Sequence, residues 1–131
     1  MRHAALLVVL LAISLPAAAA WVRAGGNNNV GVYADPATIS VKGRFVTMNS
    51  LLNFSSAQTE RAIGGKPYRS QKDTREYDCI NERQRLLRFS LHADFMLGGE
   101  AVRGKADDGE WHGAEPGTLG AALLKLACGK P

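Results

Sequence analysis

The first twenty residues constrain this chain more than any other feature, because they indicate the compartment in which it folds. A short basic head at residues 1–3 precedes an almost unbroken apolar run at 4–15. Pro16 ends the run, and residues 18–20 supply the small side chains that a signal peptidase accepts before its cut. The sequence therefore predicts a secretory signal peptide over residues 1–20 and a mature chain that begins at Trp21.

An uncleaved membrane anchor is the alternative interpretation of this segment. The apolar run is shorter than the ~20 residues that a membrane-spanning helix needs, and its alanine-rich end favours cleavage. No apolar run of that length remains after residue 20, so we expect no transmembrane segment after signal cleavage. The mature protein is then exported, and its expected location is the periplasm or the extracellular cell surface.

The predicted mature region, residues 21–131, is long enough for a single domain but not for two ordinary ones. Its apolar content excludes a disordered chain. Removing Arg2 with the signal peptide changes the formal net charge from +4 to +3. A charge of this size weakly favours anionic partners and says nothing about specificity.

Export also changes the interpretation of the two cysteines. In an oxidising compartment Cys79 and Cys128 are expected to form a disulfide with each other. The bond would close a span of 49 residues, which in the chain-entropy picture stabilises the fold by roughly 4 kcal/mol. Two free thiols or a metal-binding pair remain the alternatives.

Alternation of apolar and polar residues predicts strands along most of the mature chain. The predicted strands are residues 30–34, 38–41, 45–54, 68–80, 82–91 and 100–105. The turn at 42–44 joins two of them as a hairpin. Residues 55–67 are polar and contain two adjacent glycines, so we interpret them as a long exposed connection.

The hydrophobic period changes at the C-terminus. Apolar residues at i, i+3, i+4 and i+7 form one stripe of a short helix: Leu119, Ala122, Leu123 and Leu126. A helix of this length does not persist alone in water, so it must pack on the strands. The pattern predicts an α+β fold, an antiparallel β-sheet of about six strands with one C-terminal helix packed on it and closed by the disulfide.

An ordered set of short segments carries a family resemblance. The segments are Trp21-Val22, Val32-Tyr33-Ala34-Asp35-Pro36-Ala37-Thr38-Ile39, Val46-Thr47-Met48, Tyr68-Arg69-Ser70, Glu76-Tyr77-Asp78-Cys79, Trp111, Pro116-Gly117-Thr118 and Cys128. This order resembles the surface-adhesin protein E-like domain of small exported bacterial proteins, over residues 21–129. Asn49 departs from the pattern, which has an aromatic residue there. The resemblance implies an antiparallel sheet backed by a helix and, for the namesake adhesin, binding to host matrix or serum proteins.

A catalytic or metal site receives little support from the sequence. His92 and Asp94 share a strand face and, with Glu110 and His112, would supply the residue types of a metal site or an acid/base pair. Neither pair has the spacing of a defined motif, so exposed polar residues are the favoured interpretation. We expect no catalytic residues, metal or cofactor, and an enzyme using His92 and Asp94 is kept as the minor alternative.

A cluster of basic residues is the better candidate for function. The candidate cationic binding stripe consists of Lys72, Arg75, Arg83, Arg85 and Arg88. Arg83 and Arg85 share a strand face, and Arg88 joins them only if the strand bulges. The alternative is a solvated sheet face in which these cations pair across strands with acidic residues, namely Glu76, Asp78 and Glu82.

These features together predict an exported, non-enzymatic binding or interaction domain. The partners that remain open are extracellular proteins, an anionic polysaccharide and a second copy of the chain in a homodimer. Nucleic acid is not expected, because the net charge is small and the aromatic residues do not alternate with the arginines. The alternative function is a periplasmic accessory or structural protein.

Overall fold

Six antiparallel strands that follow one another in the chain form the sheet of the computed structural model, which describes residues 20–59, 65–106 and 109–129. In order across the sheet they are β1 (Val22–Gly26), β2 (Val30–Lys42), β3 (Phe45–Thr59), β4 (Pro67–Asp78), β5 (Arg83–His92) and β6 (Ala101–Lys105). A two-residue strand, β7 (His112–Gly113), pairs with the start of β5. A 3-10 turn spans Phe95–Leu97, and helix α1 spans Leu119–Cys128. The predicted fold class is confirmed, and the predicted signal peptide falls almost wholly on residues outside those described.

Strand β2 joins two segments that the sequence predicts separately. Asp35 pairs with Asn49 and Ser40 pairs with Thr47, so residues 36–39 form a bulge. Pro36 fits this bulge because proline has no backbone N–H, so in a regular part of the ladder it would leave one hydrogen bond unmade. The bulge lets one long strand bend without ending.

The predicted exposed connection at residues 55–67 is wrong at both ends. β3 continues to Thr59 and β4 already begins at Pro67, where these two residues pair. The sequence pattern does not reveal these strand ends. Most of their side chains are exposed, so no alternation of apolar and polar residues marks them as strands. Residues 60–64 of the predicted connection lie outside the described residues.

Strand β5 contains the register break that its adjacent leucines suggest. Arg88 pairs with Thr74 while Leu86 pairs with Arg75, which leaves Leu87 as the extra residue of a bulge. Arg88 therefore lies on the same sheet face as Arg85 rather than on the opposite one. From the sequence, Arg88 shares a face with Arg83 and Arg85 only if this strand bulges, and β5 contains that bulge.

The core lies between α1 and one face of the sheet. Alternate residues of β2, β3 and β4 point to this face and meet the helix. The buried apolar residues of this core are Val32, Ala34, Val46, Met48, Tyr77, Leu123, Leu124 and Ala127. Each large aliphatic side chain buried here contributes about 1.5–3 kcal/mol relative to exposure.

Helix α1 begins and ends where capping chemistry predicts. The Thr118 hydroxyl accepts a hydrogen bond from the Ala121 backbone N–H at 3.2 Å, which caps the start of the helix. Gly129 takes a left-handed conformation with φ of 66°, which ends it. With ten residues in α1, no helix in the described ranges is long and apolar enough to cross a membrane.

The helix is rotated by roughly a quarter turn from the predicted stripe. Leu123, Leu124 and Ala127 are its buried residues, whereas Leu126 is only half-buried. A side chain at Gly120 would overlap the amide of Gln84, so glycine lets the helix approach the sheet closely on this side.

A disulfide joins the end of β4 to the end of α1. The sulfur atoms of Cys79 and Cys128 are 2.07 Å apart, and the two Cα atoms are 5.7 Å apart. The predicted pairing is confirmed, and the chain has no further cysteine. The bond fixes the C-terminal end of α1 against the sheet.

Candidate functional site

The two faces of the sheet differ in what covers them. Helix α1 packs on one face. On the other, which we call the open face, side chains of β3 to β6 line a groove of about 460 Å³. Its lining residues are Asn49, Lys72, Thr74, Arg88, Phe89, Ser90, Arg103, Gly104 and Lys105. Four of these nine residues are cations and none is acidic.

The strand register fixes the positions of the four cations, Lys72, Arg88, Arg103 and Lys105. Ser90 of β5 pairs with Lys72 on one side and Arg103 on the other. One row along, Arg88 pairs directly with Lys105. Strands lie about 4.8 Å apart, so the four side chains start from a patch roughly 10 Å wide.

These cations lack the partners that usually neutralise a sheet surface. None of the four forms an ion pair or a hydrogen bond with any of the described residues. Like charges directly opposite each other in a sheet are destabilising, and Arg88 and Lys105 stand in that relation. Within the part of the chain that the structure describes, no acidic side chain is paired with this positive patch.

The positive field reaches His92, which ends β5 beside the groove. Burial lowers the pKa of its imidazole, and the neighbouring charges of Lys72 and Arg103 lower it further. The Nε2 atom lies 2.8 Å from the Ser90 hydroxyl, while the buried Nδ1 atom has no hydrogen-bond partner in the described structure. Both effects favour the neutral form of the His92 imidazole.

The residues of the minor catalytic alternative do not assemble. No hydrogen bond joins His92 to Asp94 in the described residues, and the exposed Asp94 carboxylate lies beside Gly99 instead. His112 pairs with Gln84 near the other end of β5, about 26 Å along the strand from His92. The combination with Glu110 and His112 is therefore wrong, and no metal-binding cluster occurs among the described residues.

Arg75 does not belong to the predicted stripe. It stands three positions after Lys72 in β4, so strand alternation directs it to the helix-covered face. There its guanidinium Nη2 lies 2.9 Å from the Asp73 carboxylate, and its Nη1 donates to the Gln84 side chain at 3.3 Å. A stripe containing both Lys72 and Arg75 is excluded by this geometry.

Arg83 and Arg85 lie on the open face but are already paired. Arg83 contacts Asp78 at 3.0 Å, and Arg85 contacts Glu76 at 2.7 Å. Both guanidinium groups also lie 4.6 Å from the centre of the Trp111 ring. These two arginines therefore follow the alternative interpretation, in which the cations pair across strands with acidic residues.

Lys72 and Arg88 remain as members of the predicted stripe without an ion-pair partner in the described ranges, and β6 adds two more cations. Arg103 and Lys105 are not among the residues predicted from the sequence. The signal that would find them is their spacing of two residues within a predicted strand, which places both on one face. Their position beside Arg88 depends on the β5 bulge.

A second groove of about 310 Å³ continues from the first and shares Thr74 and Arg88 with it. Its other lining residues are Ser40, Lys42, Phe45, Thr47, Glu76 and Leu87. We call the two grooves together the trough. It follows β4 for six residues from the row of Lys72 to the row of Phe45, which is about 20 Å.

Aromatic and ionic contacts close the far end of the trough. The Trp111 ring stacks on Phe45 with centroids 5.7 Å apart. Burial alone would raise the pKa of the Asp78 carboxyl, but hydrogen bonds from Asn81, Arg83 and the Ile80 backbone outweigh it and lower that pKa. This end is therefore a fixed wall of the trough.

A separate polar network lies beneath α1. The fully buried Asp73 carboxylate binds Arg75 and accepts a hydrogen bond from the Gln71 amide. A cavity of about 150 Å³ adjoins it, and the Ser50 hydroxyl there has no hydrogen-bond partner in the described structure. Burial, opposed by Arg75, raises the pKa of Tyr77 to about 12. This network lies inside the helix–sheet packing and not on the open face.

Comparison with known proteins connects this arrangement to one family. The family described as surface-adhesin protein E matches residues 21–129. A crystal form II structure of Haemophilus influenzae protein E superposes with a TM-score of 0.62 at 18% identity, covering 83% of this chain and 87% of that one. Protein E from non-typeable Haemophilus influenzae gives 0.55 at 20% identity, covering 82% and 75%. At these identities the structural likeness establishes the fold, and no curated protein sequence matches significantly.

Proposed function

Because the chain belongs to the surface-adhesin protein E family, we propose that it is an exported, non-enzymatic protein that binds extracellular proteins on the open face of its sheet. The observation that carries this proposal is the group of four cations that line the groove and have no ion-pair partner among the described residues. Complementary charge speeds the encounter of two proteins and selects among partners. Acidic segments of host matrix or serum proteins fit such a surface.

Export is supported by two independent features. The family match begins at Trp21, the first residue after the predicted cleavage site. A disulfide such as Cys79–Cys128 forms in oxidising compartments rather than in the cytosol. We expect the intact mass of the exported protein to correspond to a chain that starts at Trp21. A mass that includes residues 1–20 contradicts the predicted signal peptide.

A solid-phase assay with immobilised laminin and vitronectin tests the proposed binding. The variant replaces the four groove cations with glutamine: Lys72→Gln, Arg88→Gln, Arg103→Gln and Lys105→Gln. We expect it to lose at least about tenfold in affinity for the bound protein, because charge-assisted contacts are lost. Raising the salt concentration should weaken wild-type binding in the same way.

The matched control removes the same charge from positions outside the trough: Arg23→Gln, Lys66→Gln, Arg69→Gln and Lys125→Gln. It should bind as the wild type does, because net charge alone is not the recognition element. Equal loss in both variants contradicts a specific open-face site. Absence of binding to both proteins by the folded wild type contradicts the proposal and favours a periplasmic accessory protein.

A further inference from the structure

We propose that the trough on the open face is a binding site for a linear sulfated polysaccharide. The inference rests on the proposed function, because it names a ligand for the same face.

The shape of the trough suits an extended polymer. The two grooves join at Thr74 and Arg88 and run about 20 Å along β4. Sites for small molecules usually enclose most of the ligand surface. Here the trough is floored by the sheet and exposed to solvent along its length, so an extended segment about 20 Å long can lie in it.

The charge pattern of the cationic groove suits repeated anionic groups, and Glu76, the acidic residue that lines the second groove, is already paired with Arg85. Arg88 and Lys105 repel each other across β5 and β6, and no carboxylate among the described residues relieves that repulsion. A sulfate group bound between them would replace the repulsion with two attractions. One row along the strands, Lys72 and Arg103 lie on either side of Ser90 and offer a second, wider position for an anionic group. Arginine also binds planar and tetrahedral oxyanions through two parallel hydrogen bonds.

Neutral polar groups lie between the cations, where sugar hydroxyls would need partners. Thr74 donates its hydroxyl to the Asn49 side-chain oxygen at 2.7 Å, which leaves the Asn49 amide nitrogen available to a ligand. The Ser90 hydroxyl, bonded to His92, lines the same groove. A polysaccharide that carries both sulfates and hydroxyls matches this alternation of charged and neutral groups.

Other polyanions fit the trough less well. Proteins that bind single-stranded nucleic acid stack the bases on aromatic side chains. Phe89, half-buried, is the one aromatic residue lining the cationic groove, and Phe45 in the second groove is already stacked on Trp111, so no stacking platform faces the cations. A lipid surface is flat on this scale, and cations set in a concave trough meet it poorly.

Calorimetric titration of the mature, disulfide-bonded protein with size-defined heparin oligosaccharides tests the inference. Desulfated heparin should bind at least about tenfold more weakly, because the charge-assisted contacts are lost. The double variant Arg88→Gln/Lys105→Gln should show a similar loss, and the control Lys66→Gln/Lys125→Gln should bind as the wild type does. Removing the Arg88–Lys105 repulsion should leave the melting temperature equal or higher, so the loss cannot reflect unfolding.

The His92 resonance gives a second reading at the site itself. Burial and the charges of Lys72 of β4 and Arg103 of β6 lower the pKa of this imidazole, and the nearby Leu97 backbone opposes them. A bound sulfate neutralises the two cations and stabilises the imidazolium. An NMR titration should therefore show a higher His92 pKa with heparin than without it. Binding that leaves the His92 pKa unchanged contradicts this site.

The remaining outcomes separate this inference from the proposed function. If heparin neither binds nor competes while laminin or vitronectin binding still depends on the four cations, the polysaccharide inference is wrong and the proposed function stands. If heparin binds at the trough but no host protein does, the polysaccharide inference stands and the proposed function is wrong. Tighter binding to single-stranded DNA, to an acidic peptide or to anionic phospholipid vesicles than to heparin overturns the inference in favour of that ligand class.

Discussion

Replacing Cys128 with serine is expected to lower the free energy of unfolding by roughly 2–5 kcal/mol. The disulfide with Cys79 closes a 49-residue separation, so the unfolded chain gains conformational freedom when the bond is lost. Helix α1 has ten residues and is too short to persist alone, so its amides should exchange first. Chemical denaturation measures the first effect, and hydrogen exchange of α1 measures the second.

The control for this prediction is Lys125→Ser, an exposed substitution in the same helix that keeps the disulfide. It should change stability by only a few tenths of a kcal/mol through helix propensity. Helix amides that stay as protected in Cys128→Ser as in the wild type would contradict the tethering role. So would two free thiols in the native exported protein.

Replacing Asp73 with alanine is expected to lower the free energy of unfolding by about 3–5 kcal/mol. The Asp73 side chain is fully buried and its Arg75 partner is only 27% exposed, so the substitution leaves a largely buried guanidinium without its counter-ion. The Gln71 amide also loses its acceptor. Thermal and urea unfolding of the variant, compared with the wild type, measure the loss.

A second substitution distinguishes a lost charge partner from a simple cavity. Removing both charges, in Asp73→Ala/Arg75→Met, should recover a large part of the stability, because no unpaired buried charge remains. A double variant that loses the sum of the two single effects would show that packing dominates. A loss below about 1 kcal/mol in Asp73→Ala would show that water already solvates Arg75.

The sequence predicts the fold well where side-chain alternation reports burial. In β3, Val46 and Met48 face the core with Ser50, as period two requires. Thr118 and Gly129 mark the ends of α1 through local chemistry that needs no tertiary information. The predicted export implies an oxidising compartment, and this is enough to predict that the two cysteines form a disulfide.

The remaining features depend on contacts between distant segments. The orientation of α1, which buries Leu124 and Ala127 and sets Gly120 against Gln84, belongs to the packing of the helix on the sheet, and no pattern within the helix reveals it. The exposed end of β3 is polar on both faces, so only its pairing with β4 identifies it as a strand.

The sequence predicts only part of the candidate site, because that site also depends on contacts between distant segments. Lys72 and Arg88 line one groove, but the bulge at Leu87 decides that Arg88 faces it. Arg75 does not join this surface, because it lies on the helix-covered face, where it pairs with Asp73. Arg103 enters the site through pairing with Ser90, a contact that becomes visible only in the sheet.

The central claim is that partners bind the open face while the helix-covered face serves stability. Hydrogen exchange of the disulfide-bonded protein, with and without saturating vitronectin or laminin, tests it most directly. We predict slower exchange at residues 88–90 and 101–105, next to the four cations, and unchanged exchange in α1. Protection confined to α1, or binding that protects neither β5 nor β6, would contradict the account.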